Sequence, residues 1–293
     1  MKNFYLTVGV ILLALTSCSK EEETLVVNNE SLVPVTVRVN DFSKSVEDFG
    51  TRAAQSVESY TGVKAMTLAF YDSNDEEAYK TTQLRADNST YSTFGDFSLS
   101  LPMGSYTMVV LGYGSESPIT LSSKTSALYE TDRVRETFVY TETVNITNTS
   151  AVNLAATLSR VVSKLEIYST DAQTANAAKI RTTFSAGGRG VNPMTGQSTS
   201  NTGFENTVNF TNAVGTVGGG SINYLFLNTD EQTMNVTIDV LDEDNDIISQ
   251  RVVNNVPFKR NRTTKLRGSL FTAATSSSFQ VETSWLNAEE ITF

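Results

Sequence analysis

The chain has 293 residues, of which 39% are hydrophobic and 18% charged, and its formal net charge is −10. An acidic chain without a dense basic stripe is unsuited to nucleic-acid binding, which depends on lysine and arginine contacts with phosphates. The chain contains no histidine, which excludes Ser-His-Asp triads, Cys-His dyads and histidine-ligated zinc sites. Carboxylate-pair and Ser-Lys chemistry remain open at this point, because neither has a diagnostic spacing.

The first 18 residues have the pattern of a lipoprotein signal. Lys2 precedes an apolar run at 4–15 that is too short to span a bilayer, and Cys18, the only cysteine, ends the sequence Leu-Thr-Ser-Cys. The pattern predicts a signal peptide over residues 1–17 and attachment of acyl chains, palmitate among them, at Cys18. The alternative is an ordinary signal peptide that happens to end near a cysteine.

An acidic tether is predicted over residues 18–30. The segment Ser-Lys-Glu-Glu-Glu at 19–23 resembles the export signal that carries Bacteroidetes lipoproteins to the outer face of the outer membrane. This resemblance implies a surface-exposed, lipid-anchored protein. The alternative is a solvated tether, since a charged run beside a chain terminus needs no receptor to explain it.

Alternation of apolar and polar residues dominates the rest of the chain and predicts an all-β protein. At 32–39, for example, Val35, Val37 and Val39 share one face of a strand, and Thr36 and Arg38 share the other. Only 125–134 and 170–178 are compatible with a short helix. The predicted strands are 32–39, 63–71, 97–101, 106–113, 137–147, 152–158, 161–168, 222–227, 234–241, 247–253, 263–270 and 279–285.

Two β-sandwich domains are predicted, over residues 31–149 and 150–293. The segments 63–77 and 234–246 each predict a β-hairpin with an acidic tip, which suggests two related domains.

A calcium site is a possible interpretation of the second tip, which contains Asp242, Asp244 and Asp246. However, Ile247 and Val253 stand where an EF-hand loop needs glycine and glutamate, which favours a solvated turn. Glycine-rich stretches at 186–190, 196–203 and 215–220 lack the features of a phosphate loop and are predicted to be mobile loops.

The chain resembles the fimbrillin superfamily of Bacteroidales, lipoprotein subunits that build surface fimbriae. The likeness rests on the order of several stretches, none of them highly specific alone. They are the lipid-attachment sequence with its acidic tether, the valine-rich strand at 32–39 followed by Gly-Thr-Arg-Ala-Ala at 50–54, the Pro-Met-Gly-Ser-Tyr-Thr hairpin within 97–110, the arginine-containing strand at 158–167, and 256–268.

The resemblance implies two transthyretin-like β-sandwiches in tandem, no catalytic site and no cofactor or metal. It also implies assembly by β-strand addition with other copies or related subunits, and a role in adhesion to host or bacterial surface ligands. In stalk subunits of this family, a trypsin-like protease cuts after an arginine beyond the first strand. Arg52, followed by Ala53, stands at that position, whereas Arg38 is a poorer candidate because it lies within the strand. The alternative interpretation of Arg52 is a surface arginine in a polar loop.

Other functions remain open at the sequence level. A surface glycan-binding lipoprotein for nutrient uptake would also be anchored and built of β-sandwiches, but such proteins present exposed aromatic platforms. Trp285, the only tryptophan, alternates with Val281 and Thr283 and is predicted to be a core residue. Within the fimbrial interpretation, stalk and anchor roles both fit, and a tip role is ranked last because the length leaves no room for a further binding domain.

Overall fold

The computed structural model describes residues 31–43, 55–130, 133–272 and 280–283. These residues form twenty β-strands and no helix, which confirms the all-β class. The strands are β1 (Val33–Ser43), β2 (Gln55–Ser56), β3 (Ala65–Tyr71), β4 (Glu77–Leu84), β5 (Asp96–Leu101), β6 (Gly104–Tyr113), β7 (Thr120–Ser123), β8 (Ser126–Leu128), β9 (Thr137–Ile146), β10 (Val152–Arg160), β11 (Ser163–Ser169), β12 (Lys179–Phe184), β13 (Gly190–Asn192), β14 (Gln197–Ser198), β15 (Phe204–Asn209), β16 (Gly220–Leu225), β17 (Glu231–Leu241), β18 (Ile247–Lys259), β19 (Thr263–Gly268) and β20 (Gln280–Thr283).

The first group of strands forms two layers. In one layer, β1 lies between β5, to which it is antiparallel, and β10, to which it is parallel. In the other, antiparallel strands run in the order β9-β6-β3-β4. The layers are joined where Ser159 and Arg160 of β10 pair with Val139 and Phe138 of β9. One buried cluster takes apolar side chains from both layers, so they pack face to face as a β-sandwich.

The second group repeats the strand order of both layers, but among the described residues its two layers are separate sheets without a pairing like that of β9 with β10. β11 lies between β16, to which it is antiparallel, and β19, to which it is parallel. The facing strands run in the order β15-β12-β17-β18, and a second buried cluster fills the space between the layers. Thus β1, β3, β4, β5, β6, β9 and β10 correspond to β11, β12, β15, β16, β17, β18 and β19. β20 adds an antiparallel edge strand to β19.

Four short strands connect the two groups. β7 and β8 come from the first half of the chain and β13 and β14 from the second, and all four form one small sheet through the pairing of β8 with β13. A third buried cluster lies here and includes Leu111, Tyr129, Val191 and Phe226. The described residues from Ser31 onward therefore belong to one compact unit.

Two of the glycine-rich stretches are not the mobile loops that the sequence predicts. They contain β13 and β14, and their backbone packs too closely for a side chain. A Cβ on Gly203 would lie 2.1 Å from the carbonyl oxygen of Phe184, and Gly203 has a φ of +72°. In the third stretch, Gly220 begins β16, and a Cβ there would lie 1.8 Å from the carbonyl oxygen of Ile167. These glycines serve close strand packing.

The helix expected at 170–178 is also wrong. The Asp171 side chain instead accepts hydrogen bonds from the segment that follows β19. Its carboxylate accepts the backbone N–H groups of Leu270, Phe271 and Thr272 at 2.8, 2.9 and 2.8 Å, and the Ser269 hydroxyl at 2.6 Å. Partial burial alone would raise the pKa of Asp171, but these hydrogen bonds outweigh it and hold the pKa far below its ordinary value.

Arg251 also binds this segment, through its backbone carbonyl oxygens. Its guanidinium is buried, and Nε donates to the carbonyl oxygen of Ser269 at 2.9 Å while Nη2 donates to that of Thr272. Asp171 and Arg251 therefore clamp residues 269–272, which follow β19. The other candidate helix, 125–134, is wrong because it contains β8, which pairs with β7 and β13.

Candidate assembly site

β1 is an inner strand whose two edges are both paired. It pairs with β5 from Val33 to Arg38, and with β10 from Val35 onward, with a bulge between Val39 and Asp41. Beside this bulge the Val39 N–H donates to the carbonyl oxygen of Gly95 at 2.9 Å. Removal of β1 would therefore leave two facing strand edges, on β5 and β10, with unpaired backbone donors and acceptors.

One face of β1 is entirely apolar and buried. Val33, Val35, Val37 and Val39 are at most 4% exposed, because strand alternation directs them into the sandwich core. Phe42 is 0% exposed because the bulge between Val39 and Asp41 shifts the alternation by one residue and brings Phe42 to the same face. Burial of each such side chain stabilises the fold by roughly 2 kcal/mol. The strand is thus held by backbone pairing on both edges and by a continuous row of core side chains.

An aromatic and ionic cluster holds the far end of β1. The ring of Phe42 lies 4.8 Å from that of Phe138 and 5.6 Å from that of Tyr60. The Tyr60 hydroxyl donates to Glu136, which also pairs with Arg160. Burial, and then the Glu136 charge, raise the pKa of Tyr60 well above its ordinary value, so the hydroxyl remains a donor at every physiological pH. Arg160 lies 4.9 Å over the Phe138 ring.

The predicted processing residues lie between β1 and the rest of the sandwich. β1 ends at Ser43. The next described residue is Gln55, which begins β2, and β2 pairs with the end of β1. Arg52 and Ala53 fall in the intervening segment, which is outside the described residues. The predicted lipid-attachment residue Cys18, which precedes β1 in the chain, is also outside the described residues. A cut in this segment would leave β1 attached to the described fold through non-covalent contacts.

The chain beyond this segment is fastened independently of β1. Arg85 donates from Nε to the carbonyl oxygen of Val63 at 2.7 Å and from Nη2 to that of Val57 at 2.8 Å, and its guanidinium lies 4.1 Å over the Phe94 ring. Cleavage after Arg52 would therefore leave the new chain start close to a segment that the rest of the sandwich holds in place.

Arg38 is protected from proteolysis by its place in the sheet. Its side chain is 64% exposed and pairs with Asp96 at 3.2 Å, but its backbone lies between Ala155 of β10 and Asp96 of β5. We expect an arginine-specific protease to leave the bond after Arg38 intact in the native protein and to cut it once urea unfolds the chain, as fragment masses would show. A native fragment beginning at Val39 would contradict this arrangement of β1.

The two acidic hairpin tips have the same turn geometry. In the first, Asp72 Oδ1 accepts the Glu76 N–H at 2.9 Å and Asp75 has a φ of 67°. In the second, Asp242 Oδ1 accepts the Asp246 N–H at 2.8 Å, and Asn245 has a φ of 71°. Each leading aspartate thus uses an oxygen to close its own turn, which supports the solvated-turn interpretation.

The Asp242 turn gives a testable expectation. Asp242→Ala should lower the free energy of unfolding by about 1 kcal/mol, because the turn loses its side-chain hydrogen bond, while the exposed neighbour change Asp244→Ala should alter it by less than about 0.5 kcal/mol. Urea unfolding measures both. Stabilisation of the wild-type protein by calcium, lost in Asp242→Ala, would instead support a cation site.

Sequence reasoning missed the side chains that hold the end of β1 and the clamp at Asp171. Glu136 and Arg160 come together because the β9–β10 hairpin brings its two distant ends side by side. Arg160 lies within a stretch that carries the family resemblance, which was the only available signal for it. Asp171 follows β11 and Arg251 lies in β18, two strands of separate sheets, and both bond to residues 269–272, which leaves no local pattern.

Within the ranges given above, no helix has the length and apolar character needed to cross a membrane. The same ranges hold no group of three His, Cys, Asp or Glu side chains placed to bind a metal ion.

The chain has the fold of Bacteroidales fimbrial proteins. A solved structure described as a candidate adhesin from Bacteroides ovatus matches with a TM-score of 0.53 and 10% identity, covering 88% of this chain and 97% of the other. The fimbrial anchor protein Mfa2 from Porphyromonas gingivalis matches with a TM-score of 0.50 and 11% identity, covering 86% and 97%. At these identities the likeness shows the fold alone, and the shared fold agrees with the resemblance noted in the sequence.

A family profile matches residues 115–292, which is more than half of the chain. The chain therefore belongs to this family, which is described as a family of unknown function, DUF6562. No curated protein matches the chain significantly in sequence. Neither the family description nor the two structures above name an enzyme.

Proposed function

We propose that this protein is a structural subunit of a cell-surface fimbria, either a stalk or an anchor subunit, that assembles by β-strand addition and supports adhesion. The observation that carries the proposal is β1, an inner strand with a fully buried apolar face, joined to the rest of the fold through the segment that contains Arg52. The fold shared with the fimbrial anchor protein Mfa2 supports the same class of role.

In this proposal the two groups of strands are tandem transthyretin-like sandwiches. The recurrent pairing of β1 to β10 and β11 to β19 supports two domains of common design. Their boundary lies better at Val161 and Val162 than at 149/150, because β10 pairs with β1 and β9 of the first group. The N-terminal domain then spans 31–160 and the C-terminal domain begins with β11.

Release of β1 would create a groove suited to one kind of partner. Its walls would be the facing edges of β5 and β10, and its floor the apolar core that now contacts Val33, Val35, Val37 and Val39. An extended segment with apolar residues at every second position satisfies both the backbone and the core. The partner is therefore a strand from another copy or from a related subunit.

The lipid at Cys18 would deliver the protein to the outer face of the outer membrane. Retention of Cys18 together with β1 corresponds to an anchor at the base of the fimbria. Cleavage between Arg52 and Ala53 would break the covalent link to the lipid and β1, so that a partner strand could displace both together, which corresponds to a stalk subunit. Arg38 lies within a strand that is paired on both edges, which favours Arg52 over Arg38 as the cleaved residue.

Substitution of Arg52 tests the processing step. In cells that assemble fimbriae, Arg52→Ala should keep the N-terminal segment on a stalk subunit and abolish its polymer ladders on gels, whereas Arg52→Lys should still be cut by a trypsin-like protease. Arg38→Ala is the matched control and should leave processing unchanged. Normal ladders from Arg52→Ala, with the chain still starting at residue 53, would rule out processing through Arg52.

A further inference from the structure

A polar cavity of about 320 Å³ opens where the ends of β17 and β18 approach the start of β19. Its volume is at the lower end of the range for small-molecule sites. The side chains that give it open surface are charged or polar: Glu231, Gln232, Thr233, Lys259 and Arg262. Phe258 also borders the cavity but is only 2% exposed, so it adds little open surface. The lining therefore suits a polar ligand.

Arg262 brings an unpaired positive charge to this cavity. Among the described residues, its guanidinium has no ion pair, hydrogen bond or aromatic partner, whereas Lys259 pairs with Glu231. The part of Arg262 that holds the fold is its backbone, whose carbonyl oxygen accepts the Lys164 N–H at 3.0 Å. The guanidinium is therefore available to a ligand, and a change of this side chain should leave the fold intact.

The charges of the lining favour a ligand with one negative charge and several hydroxyl groups. A guanidinium binds a carboxylate through two parallel hydrogen bonds. The carboxylate of Glu231 lies in the same lining, where it repels a second negative charge and offers an acceptor to hydroxyl groups. Thr233 adds a hydroxyl, and Lys259 adds an ammonium donor. A carboxylate attached to a sugar ring satisfies all four side chains.

The strand edge beside the cavity is closed to an extended peptide at Pro257. This residue has no N–H, and its carbonyl oxygen already accepts the Thr264 hydroxyl at 2.7 Å. A strand that adds to a sheet edge needs such backbone groups free. The exposed ring of Pro257 instead offers aliphatic surface to the C–H groups of a compact ligand.

We propose that this cavity binds a carboxylate-bearing sugar unit, with the Arg262 guanidinium holding the carboxylate and the side chains of Glu231, Thr233 and Lys259 bonding to the sugar hydroxyls. The proposal gives the protein a saccharide-binding site in addition to its proposed role in assembly. It does not rest on strand addition, because the cavity belongs to the second group of strands and β1 belongs to the first.

Chemical-shift titration of the ¹⁵N-labelled protein with glucuronic acid tests the proposal. The Arg262 Nε–H and the amides of 231–233 should shift and saturate, with a Kd of about 1 mM. Glucose, which lacks the carboxylate, and inorganic phosphate, which Glu231 repels, should each bind at least about tenfold more weakly. The proposal would be overturned if Arg262 showed no saturable shift up to about 50 mM glucuronic acid, or if phosphate or a glutamate peptide bound as tightly.

Two arginine variants separate the site from a general effect of charge. Arg262→Gln should weaken glucuronic acid binding at least about tenfold, because the carboxylate loses its paired donors. Arg267→Gln removes the same charge from the exposed face of β19, outside the cavity, and should keep the affinity within about twofold. Equal weakening in the two variants would contradict a specific site.

Glu231→Gln supplies a test that remains valid if Arg262→Gln fails to fold. Removal of this carboxylate should strengthen phosphate binding about threefold or more, because the repulsion of a second negative charge is gone. Binding of glucuronic acid should gain less, because its hydroxyl groups lose a charged acceptor. An equal gain for both ligands, or none for phosphate, would show that Glu231 does not select the ligand.

Discussion

The native chain, cut after Arg52, is expected to keep β1 bound without a covalent link and to exchange it slowly for an added peptide of the sequence 32–43. Four valines and Phe42 hold the strand in the core, and β5 and β10 pair with both of its edges. A peptide with Val37→Asp should compete at least about 100-fold more weakly, because a carboxylate would enter the apolar core at a cost of about 3 kcal/mol.

The matched control is a Thr36→Asp peptide, which places the same charge on the outer face of β1. It should compete within about fivefold of the natural sequence, because the added carboxylate remains in contact with solvent. Fluorescence anisotropy of a labelled peptide measures both affinities. Equal competition by the two variants, or immediate loss of β1 after the cut with no loss of structure in the remainder, would show that β1 is not held through its buried face.

Asp171→Ala is expected to lower the free energy of unfolding by about 3 kcal/mol at neutral pH. The carboxylate accepts three consecutive backbone N–H groups and the hydroxyls of Ser169 and Ser269, and charge-assisted hydrogen bonds of this kind are among the stronger ones in proteins. Their removal leaves the segment after β19 without its main anchor. Urea unfolding followed by circular dichroism measures the change.

The effect of Asp171 should depend on pH in one direction. Because the folded-state pKa lies below the unfolded value, the carboxylate contributes its full stability above the unfolded pKa, near 4. That contribution is lost as the pH falls from there towards the folded pKa, so the difference between wild type and Asp171→Ala should shrink in acid.

The control for Asp171 is Asp230→Ala. Asp230 pairs with Arg260 at 2.6 Å, but its side chain is 77% exposed, so removal should cost less than about 0.5 kcal/mol. A loss at Asp230 equal to that at Asp171, or a difference at Asp171 that grows in acid, would contradict the role assigned to the Asp171 carboxylate.

The sequence predicted the strands that form the centres of the sheets but missed several edges. The strands β3, β6 and β17 are rich in apolar residues, and each was predicted. The sequence does not predict β4 and β15, because they lie at sheet edges, where one or both faces meet solvent and residues such as Lys80 and Glu205 interrupt the apolar alternation. β12 was missed because the buried Thr182 interrupts the apolar row between Ile180 and Phe184.

The two acidic hairpins match in their turns but not in their places in the sheets. Their turns at Asp72 and Asp242 are alike in hydrogen bonding, as the sequence suggests. In the sheets, however, the β3–β4 hairpin corresponds to β12 and β15, and the β17–β18 hairpin corresponds to β6 and β9. Similar tips arise because a turn of this length favours an aspartate at its start, independently of the place of the hairpin in the fold.

The candidate site was predictable only in part. The alternation at 32–39 identified the buried face of β1 correctly, because a strand with one buried face requires apolar residues at every second position. The cluster around Phe42, Tyr60 and Glu136 joins residues far apart in the chain, which a single sequence does not bring together. The central position of β1, between β5 and β10, likewise follows from long-range pairing that a single sequence does not specify.

Isolation of surface filaments, followed by determination of the N-terminus of this protein within them, tests the central claim most directly. Assembly by strand addition predicts that the protein is present in the filament, starting at Ala53 if it is a stalk subunit or at acylated Cys18 if it is an anchor. Absence of the protein from every filament of cells that express it would contradict the fimbrial role.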